Sequence, residues 1–285
     1  MGKTITLVEC PRDAMQGWKT FIPTDRKIEY IDSLMQVGFD VLDFGSFVSP
    51  KAIPQMADTR EVLAKIDDHQ SQTRLLAITA NLRGALDAMP YERISFLGFP
   101  FSVSPSFQLR NTNSSMSESL KTVEDIQNLC VQRGKSLVVY ISMGFGNPYG
   151  DPFSPDIVFE WTSKIAALGV QTISLADTVG LAAADQVFQI TQATIRQFPD
   201  QQIGVHLHSS RAGWKVKIDA ALRAGCTRFD GALNGIGGCP MANDELVGNM
   251  DTGLMIPYFK ELGILRPLNQ SALDRSLVLA SEIFA

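Results

Sequence analysis

SLVVYISMGFGNPYGDPFSPDIVFEWTSKIAALGVQTISLAD, residues 136–177, sets two apolar runs on either side of an amphipathic stretch. SLVVYIS (136–142) and QTISLAD (171–177) are short and rich in β-branched residues, as strands covered on both faces must be. SPDIVFEWTSKIAALG (154–169) reads as a helix: Ser154 is a good N-cap, Pro155 suits the first turn, and Gly169 suits the stop. Strand, helix, strand in this order makes a parallel β-α-β unit.

Working outward, the unit recurs until there are eight. ITLVEC (5–10) precedes a helix over 24–38, and VLDFGSF (41–47) one over 58–67. RLLAITA (74–80) precedes 82–89, and RISFLGF (93–99) precedes a long helix over 115–133. After the quoted stretch, QTISLAD leads into 183–197, QIGVHLHS (202–209) into 213–225, and RFDGALNG (228–235) into 249–262. A last helix spans 270–283. Eight such units predict a single (β/α)8 TIM barrel spanning residues 1–285, with the barrel over 5–262 and an extra C-terminal helix. An open doubly wound sheet is the other arrangement, but the glycines of GFGNPYG (144–150) do not fit its dinucleotide fingerprint. They read as a loop after the fifth strand.

Composition narrows the function classes. The chain has 285 residues, 45% of them hydrophobic and 19% charged, with a net charge of −5. This is a globular composition, and the acidic balance argues against nucleic acid or an anionic membrane as main partner. The four cysteines, Cys10, Cys130, Cys226 and Cys239, fit neither a disulfide framework nor a zinc ribbon, which suggests a reducing, cytoplasmic setting. No run approaches the ~18 apolar residues of a membrane span. ITLVE already reads as a strand, so no signal peptide is expected, and the myristoylation-like start at Gly2 is read as the lead into that strand.

Two of the three histidines lie in GVHLHSSR (204–211). His206 and His208 are one residue apart in a strand, so they point the same way. At the C-terminal rim of a barrel, two imidazoles on one face form a metal clamp. Other strand ends supply partners. Arg12 and Asp13 follow the first strand, Asp43 ends the second, and NGIGGCPMANDELVGNMDTG (234–253) follows the eighth and contains Cys239 and Asn249. Taken alone, Asn249 is a plausible N-cap for the last barrel helix, and Arg12–Asp13 a local salt bridge. Together, Asp13, His206, His208 and Asn249 give two nitrogens and two oxygens, a set that suits Mg2+ or Mn2+ and leaves room for a chelating substrate. A cation and the Arg12 guanidinium around one pocket suit an enolate-forming reaction, with Cys239 as a thiol able to move a proton.

PRDAMQ (11–16), SFVSPKAIPQM (46–56), HLH (206–208) and GGCP…GN resemble the 3-hydroxy-3-methylglutaryl-CoA lyase family, within the metal-dependent TIM-barrel lyases related to isopropylmalate and homocitrate synthases. The likeness runs from about residue 5 to about 265. It implies cleavage of the hydroxyacyl-CoA to acetyl-CoA and acetoacetate, an acyl-CoA substrate and a homodimer. It implies that Asp13, His206, His208 and Asn249 are metal ligands and that Arg12 stabilises the enolate. His206 is also implied in proton transfer with the substrate hydroxyl, and Cys239 in proton transfer to the enolate. Asp177 matches an acid needed near the site, and Gln16 a polar neighbour of Arg12–Asp13. Lys51 is a candidate phosphate contact.

The chain departs from the family pattern at several places. Asp43 stands where the family has glutamate. Ser209-Ser210-Arg211-Ala212-Gly213 replaces an Asp-Thr-Tyr-Gly run, Ala14 replaces a glycine, and the Cys239–Asn249 loop carries Asp244 and Glu245. Ser209 and Arg211 are therefore candidate substrate contacts for a related lyase or aldolase acting on another hydroxyacyl-CoA or on a hydroxy- or oxo-acid. A non-catalytic metal- or CoA-ester-binding barrel is a further reading. A zinc amidohydrolase is rejected, because its His-x-His lies on the first strand and only His69, in a polar loop, remains as a further histidine.

Overall fold

The computed structural model describes residues 4–67, 71–238 and 247–285. Eight parallel strands close in sequence order into a barrel. They are β1 (Thr6–Glu9), β2 (Val41–Ser46), β3 (Arg74–Ile78), β4 (Ile94–Ser102), β5 (Ser136–Ser142), β6 (Thr172–Asp177), β7 (Gln202–Leu207) and β8 (Arg228–Gly231). The ring closes where Thr6–Glu9 pairs in register with Arg228–Gly231. This is the (β/α)8 barrel that the alternating pattern predicts.

Alternation along the strands builds two apolar layers. Val8, Cys10, Val41, Leu76, Ile78, Phe96, Val138 and Tyr140 form the barrel interior. Their neighbours, among them Leu7, Leu42, Leu75, Leu97, Val139 and Ile173, face the helices. Full burial of one such side chain contributes roughly 1.5–3 kcal/mol, so the larger, helix-facing layer carries most of the stability.

The helices are α1 (Pro11–Gln16), α2 (Thr24–Val37), α3 (Thr59–Lys65), α4 (Leu82–Ala88), α5 (Pro105–Thr112), α6 (Met116–Gln132), α7 (Pro155–Ala167), α8 (Ala184–Gln197), α9 (Trp214–Arg223), α10 (Thr252–Glu261) and α11 (Gln270–Ile283). Ser154 caps α7 through the Ile157 amide at 3.3 Å, and Gly169 closes it with a φ of 86°. The C-terminal helix α11 packs on α2, where Ser33 and Ser276 hydroxyls meet at 2.7 Å, and Phe284, just past α11, meets the Tyr30 ring of α2 edge-on.

Arg12 and Asp13, just beyond the first strand, lie on a helix, α1, which Pro11 opens. Three local expectations are corrected. An extra helix, α5, stands after β4; Ser104 caps it through the Phe107 amide at 3.2 Å and Pro105 opens it. The eighth strand stops at Gly231, because Asn234 and Gly235 adopt positive φ and turn the chain. Asn249 is not a helix cap: α10 starts at Thr252, and Asp251 accepts from the Gly253 amide. Asn249 instead bridges to His208 in a short antiparallel contact.

Candidate active site

At the C-terminal mouth of the barrel lies a cavity of about 450 Å³. Its floor includes Arg12, Asp13, Tyr140, His206 and His208, and α5 contributes Phe107 and Arg110 to its wall. The short helix α1 brings Arg12 and Asp13 over the barrel axis. β7 brings the two histidines, with ring centroids 5.1 Å apart.

Asp13 is the hub. Its Oδ1 accepts from Arg12 Nη1 at 2.9 Å and from Gln16 Nε2 at 2.6 Å. Its Oδ2 accepts from Asn249 Nδ2 at 2.7 Å and lies 3.9 Å from His206 Nε2. Burial pushes this carboxyl upward, but Arg12 and both imidazoles overcome it and hold it at about 2. The carboxylate is therefore charged across the physiological range.

The histidines have defined hydrogen bonds. His208 Nδ1 meets the Asp177 carbonyl at 2.9 Å, and a carbonyl only accepts, so Nδ1 carries the proton and Nε2 is bare. Burial, reinforced by His206, lowers the His208 pKa to about 4, which keeps that ring neutral. For His206, burial opposes the charge but is outweighed by Asp230 and Asp13, and its pKa is raised. Its Nδ1 faces Asp230 Oδ2 at 3.3 Å.

Among the described residues, two buried acceptors at this spot have no partner: His208 Nε2 and Asn249 Oδ1. A buried polar atom without a partner costs about 1–3 kcal/mol; His208 lines the cavity, and Asn249 is hydrogen-bonded to Asp13, which lines it too. Ligand atoms of Asp13, His206 and His208 all lie within 4.8 Å of one another. With the orphaned Asn249 oxygen they form a mixed nitrogen and oxygen donor set that fits a divalent cation.

Asp43 holds Arg12 despite its short side chain. Nε donates to Asp43 Oδ1 at 3.2 Å and to Oδ2 at 3.0 Å, while Nη2 donates to Oδ2. A shift in the β2–β3 register between Asp43 and Gly45 accompanies this placement. Burial raises Asp43 to about 6 against the pull of Arg12, and Arg12 is in turn held well above its ordinary range.

The other sequence candidates scatter. Asp177 is buried with its carboxylate turned to Lys217 Nζ, 2.7 Å away, so it reaches the site only through its carbonyl. Ser209 is buried, with its hydroxyl on the Ser210 carbonyl. Arg211 and Lys51 are exposed and do not line the cavity. Cys239, Asp244, Glu245 and His69 lie outside the described residues, as does Gly2. Lys217 and Asp230 were not singled out from the sequence. Asp230 sits two residues after Arg228, and this alternation of two charges inside a strand was the available signal.

The HMGL-like family model matches residues 5–278. The mitochondrial hydroxymethylglutaryl-CoA lyase of Bos taurus is 33% identical, over 94% of this chain and 82% of that protein. The Bacillus subtilis hydroxymethylglutaryl-CoA lyase is also 33% identical, over 92% of this chain and 87% of that protein. Among solved structures, the HMG-CoA lyase of Brucella melitensis superposes with a TM-score of 0.91 at 29% identity, covering 99% of both chains. That of Acinetobacter baumannii, in complex with coenzyme A and 3-methylmalate, has a TM-score of 0.90 at 31% identity, covering 99% of this chain and 91% of that one.

Proposed function

The chain belongs to the HMGL-like family, and from that premise we propose that it cleaves 3-hydroxy-3-methylglutaryl-CoA to acetyl-CoA and acetoacetate. The observation that carries the reading is the pair of orphaned acceptors, His208 Nε2 and Asn249 Oδ1, beside the Arg12–Asp13 pair. Asp13, His206, His208 and Asn249 would hold Mg2+ or Mn2+. When bound, the cation supplies Lewis acidity toward the substrate's oxygens.

The reaction balances as follows. The C3 hydroxyl passes its proton to solvent water and becomes the ketone of acetoacetate. The C2–C3 bond breaks, and its electron pair passes into the thioester enolate. A proton returned to C2 completes acetyl-CoA. Arg12 lines the cavity as a guanidinium fixed on two carboxylates, and it supplies positive charge to the enolate oxygen as that charge develops. Gln16 and Asn249 orient Asp13 from opposite sides. His206 has one uncommitted lone pair, on Nε2, and cannot both hold a cation and accept the hydroxyl proton. We assign it to the cation. Return of the proton to C2 is assigned to Cys239.

The outer wall suits the rest of an acyl-CoA: Arg110 and Asn113, at the end of α5, line the cavity on the solvent side. Among the described residues no helix is long and apolar enough to cross a membrane. A cytoplasmic location and a homodimer complete our reading; the named relatives include both cytoplasmic and mitochondrial lyases. Arg211, which together with Asp43 favoured another substrate, does not line the cavity, and neither does Ser209.

The test is a substrate panel. Metal-loaded protein would be given 3-hydroxy-3-methylglutaryl-CoA, its free acid, and hydroxyacyl-CoA esters lacking the 3-methyl group. Highest kcat/KM on the first supports the proposal. Turnover of another member with none of the first would replace the substrate and keep the reaction class.

A further inference from the structure

Beneath the proposed metal centre the barrel interior holds two charges that the mechanism above does not use. Arg228 and Asp230 alternate along β8 with Phe229, so both point inward while Phe229 joins the helix-facing layer. Arg228 is 1% exposed and Asp230 2%. Asp230 is the register partner of His206 on the neighbouring strand. Its Oδ2 faces His206 Nδ1 at 3.3 Å, and its Oδ1 lies 3.9 Å from Arg228 Nε.

The fold makes room for this arrangement. A Cβ on Gly204 would come within 2.9 Å of the Arg228 side chain, so a glycine on β7 lets the arginine cross below the histidine. A carboxylate buried here without a cation would be costly, and Arg228 supplies the countercharge. The ring of His206 is further boxed by Tyr140, edge-on at 5.7 Å, and by His208. Only rotation about its own plane, or exchange of its proton between nitrogens, is left for a partner to decide.

We propose that Asp230, supported by Arg228, is a positioning residue: it takes the Nδ1–H of His206 and so keeps Nε2 bare and aimed at Asp13 and the proposed cation. This rests on the metal-centre reading of the site for its purpose, though not for its geometry. Cys10, His206 and Asp230 also sit close enough to chelate an ion. The neighbouring guanidinium opposes a second cation there, and the same three side chains then act as support for one site above.

The experiment exploits the scarcity of histidine, three in the chain. Nitrogen-15 NMR of metal-free protein at about pH 9, above the ordinary histidine range, reports the tautomer of each ring. Mn2+ titration by calorimetry reports affinity and stoichiometry. Wild type, Asp230→Asn and Asp230→Ala are compared, each checked for a cooperative melt; the asparagine retains an oxygen acceptor and is the milder change.

Expected for wild-type His206 is a proton on Nδ1, with one Mn2+ per chain. In Asp230→Ala the proton moves toward Nε2 and Mn2+ affinity falls about 10–100-fold, with Asp230→Asn between the two. An Asp230→Ala protein that keeps the Nδ1 proton overturns the proposal. So does unchanged affinity after the tautomer has moved, or a stoichiometry of two that falls to one. Wild type that binds no Mn2+ would sink the metal-centre reading, while the tautomer comparison would still decide the role of Asp230.

Discussion

Asp43 grips the Arg12 guanidinium with both carboxylate oxygens, taking Nε at 3.0 and 3.2 Å and Nη2 through Oδ2. The pair is buried, with Asp43 wholly inside the barrel. Arg12 has a second carboxylate in Asp13, so its charge is fixed between two anions. The aspartate, one methylene shorter than the family's glutamate, closes the contact.

Removing that grip should be expensive. Asp43→Ala leaves a buried cation half-paired, and breaking such a pair costs about 3–5 kcal/mol. A displaced Arg12 lowers kcat on the order of 100-fold. Denaturant unfolding and steady-state kinetics on one preparation check both. In wild type, protonation of Asp43 at about 6 weakens the same contact, so kcat/KM should fall as pH drops through 6.

Cation binding should stabilise the fold through the orphaned acceptors. Free Mn2+ at 100 times its Kd adds about 2.7 kcal/mol. Thermal melts of chelator-treated protein with and without Mn2+ should show that gain in wild type. His208→Ala and Asn249→Ala should lose most of it. Equal gains in all three would place the ion elsewhere.

Lys217 ties three chain segments together. Its Nζ donates to Asp177 Oδ2 at 2.7 Å, to the His208 carbonyl at 2.8 Å and to the Gly180 carbonyl at 3.0 Å. Lys217→Met strands a buried carboxylate and two carbonyls, and the expected loss is about 3–5 kcal/mol of stability. A loss under about 1 kcal/mol, the range of a surface pair, would contradict this role.

Glu9 gives the fold a pH dependence of known sign. Its Oε1 accepts from the Leu233 amide at 2.8 Å, and burial, the largest effect, raises its pKa from 4.5 to about 8. Between these values the folded chain holds a proton that the unfolded chain releases. Stability therefore falls as pH rises through that window, by up to about 1.4 kcal/mol per unit. Glu9→Gln should gain on wild type across the same window. Parallel melting curves would show that Glu9 does not titrate there.

The barrel was legible because most strands are short, mainly apolar runs and several helices carry their own start or stop signals. Ser154-Pro155 and Gly169 are the clearest case. The same Ser-Pro signature at Ser104-Pro105 marks α5, but eight residues of modest amphipathicity did not stand out before the longer helix behind them. The inward pair His206 and His208 was legible from strand alternation. Lys217 and Asp177 were harder, because a lysine on a helix ordinarily reads as solvated and only the packing of α9 against the ends of β6 and β7 buries it. Asn249 looked like a cap because polar residues before a helix usually are; its bridge to His208 is a long-range contact that no local pattern encodes.

The most direct measurement of the central claim is cleavage by chelator-treated protein before and after Mn2+ or Mg2+ is restored, beside Arg12→Ala. The account predicts acetyl-CoA and acetoacetate in equal amounts from 3-hydroxy-3-methylglutaryl-CoA, only with the cation present. It also predicts a fall on the order of 100-fold or more in Arg12→Ala. Cleavage that persists without any cation, or that proceeds at the wild-type rate in Arg12→Ala, would contradict it.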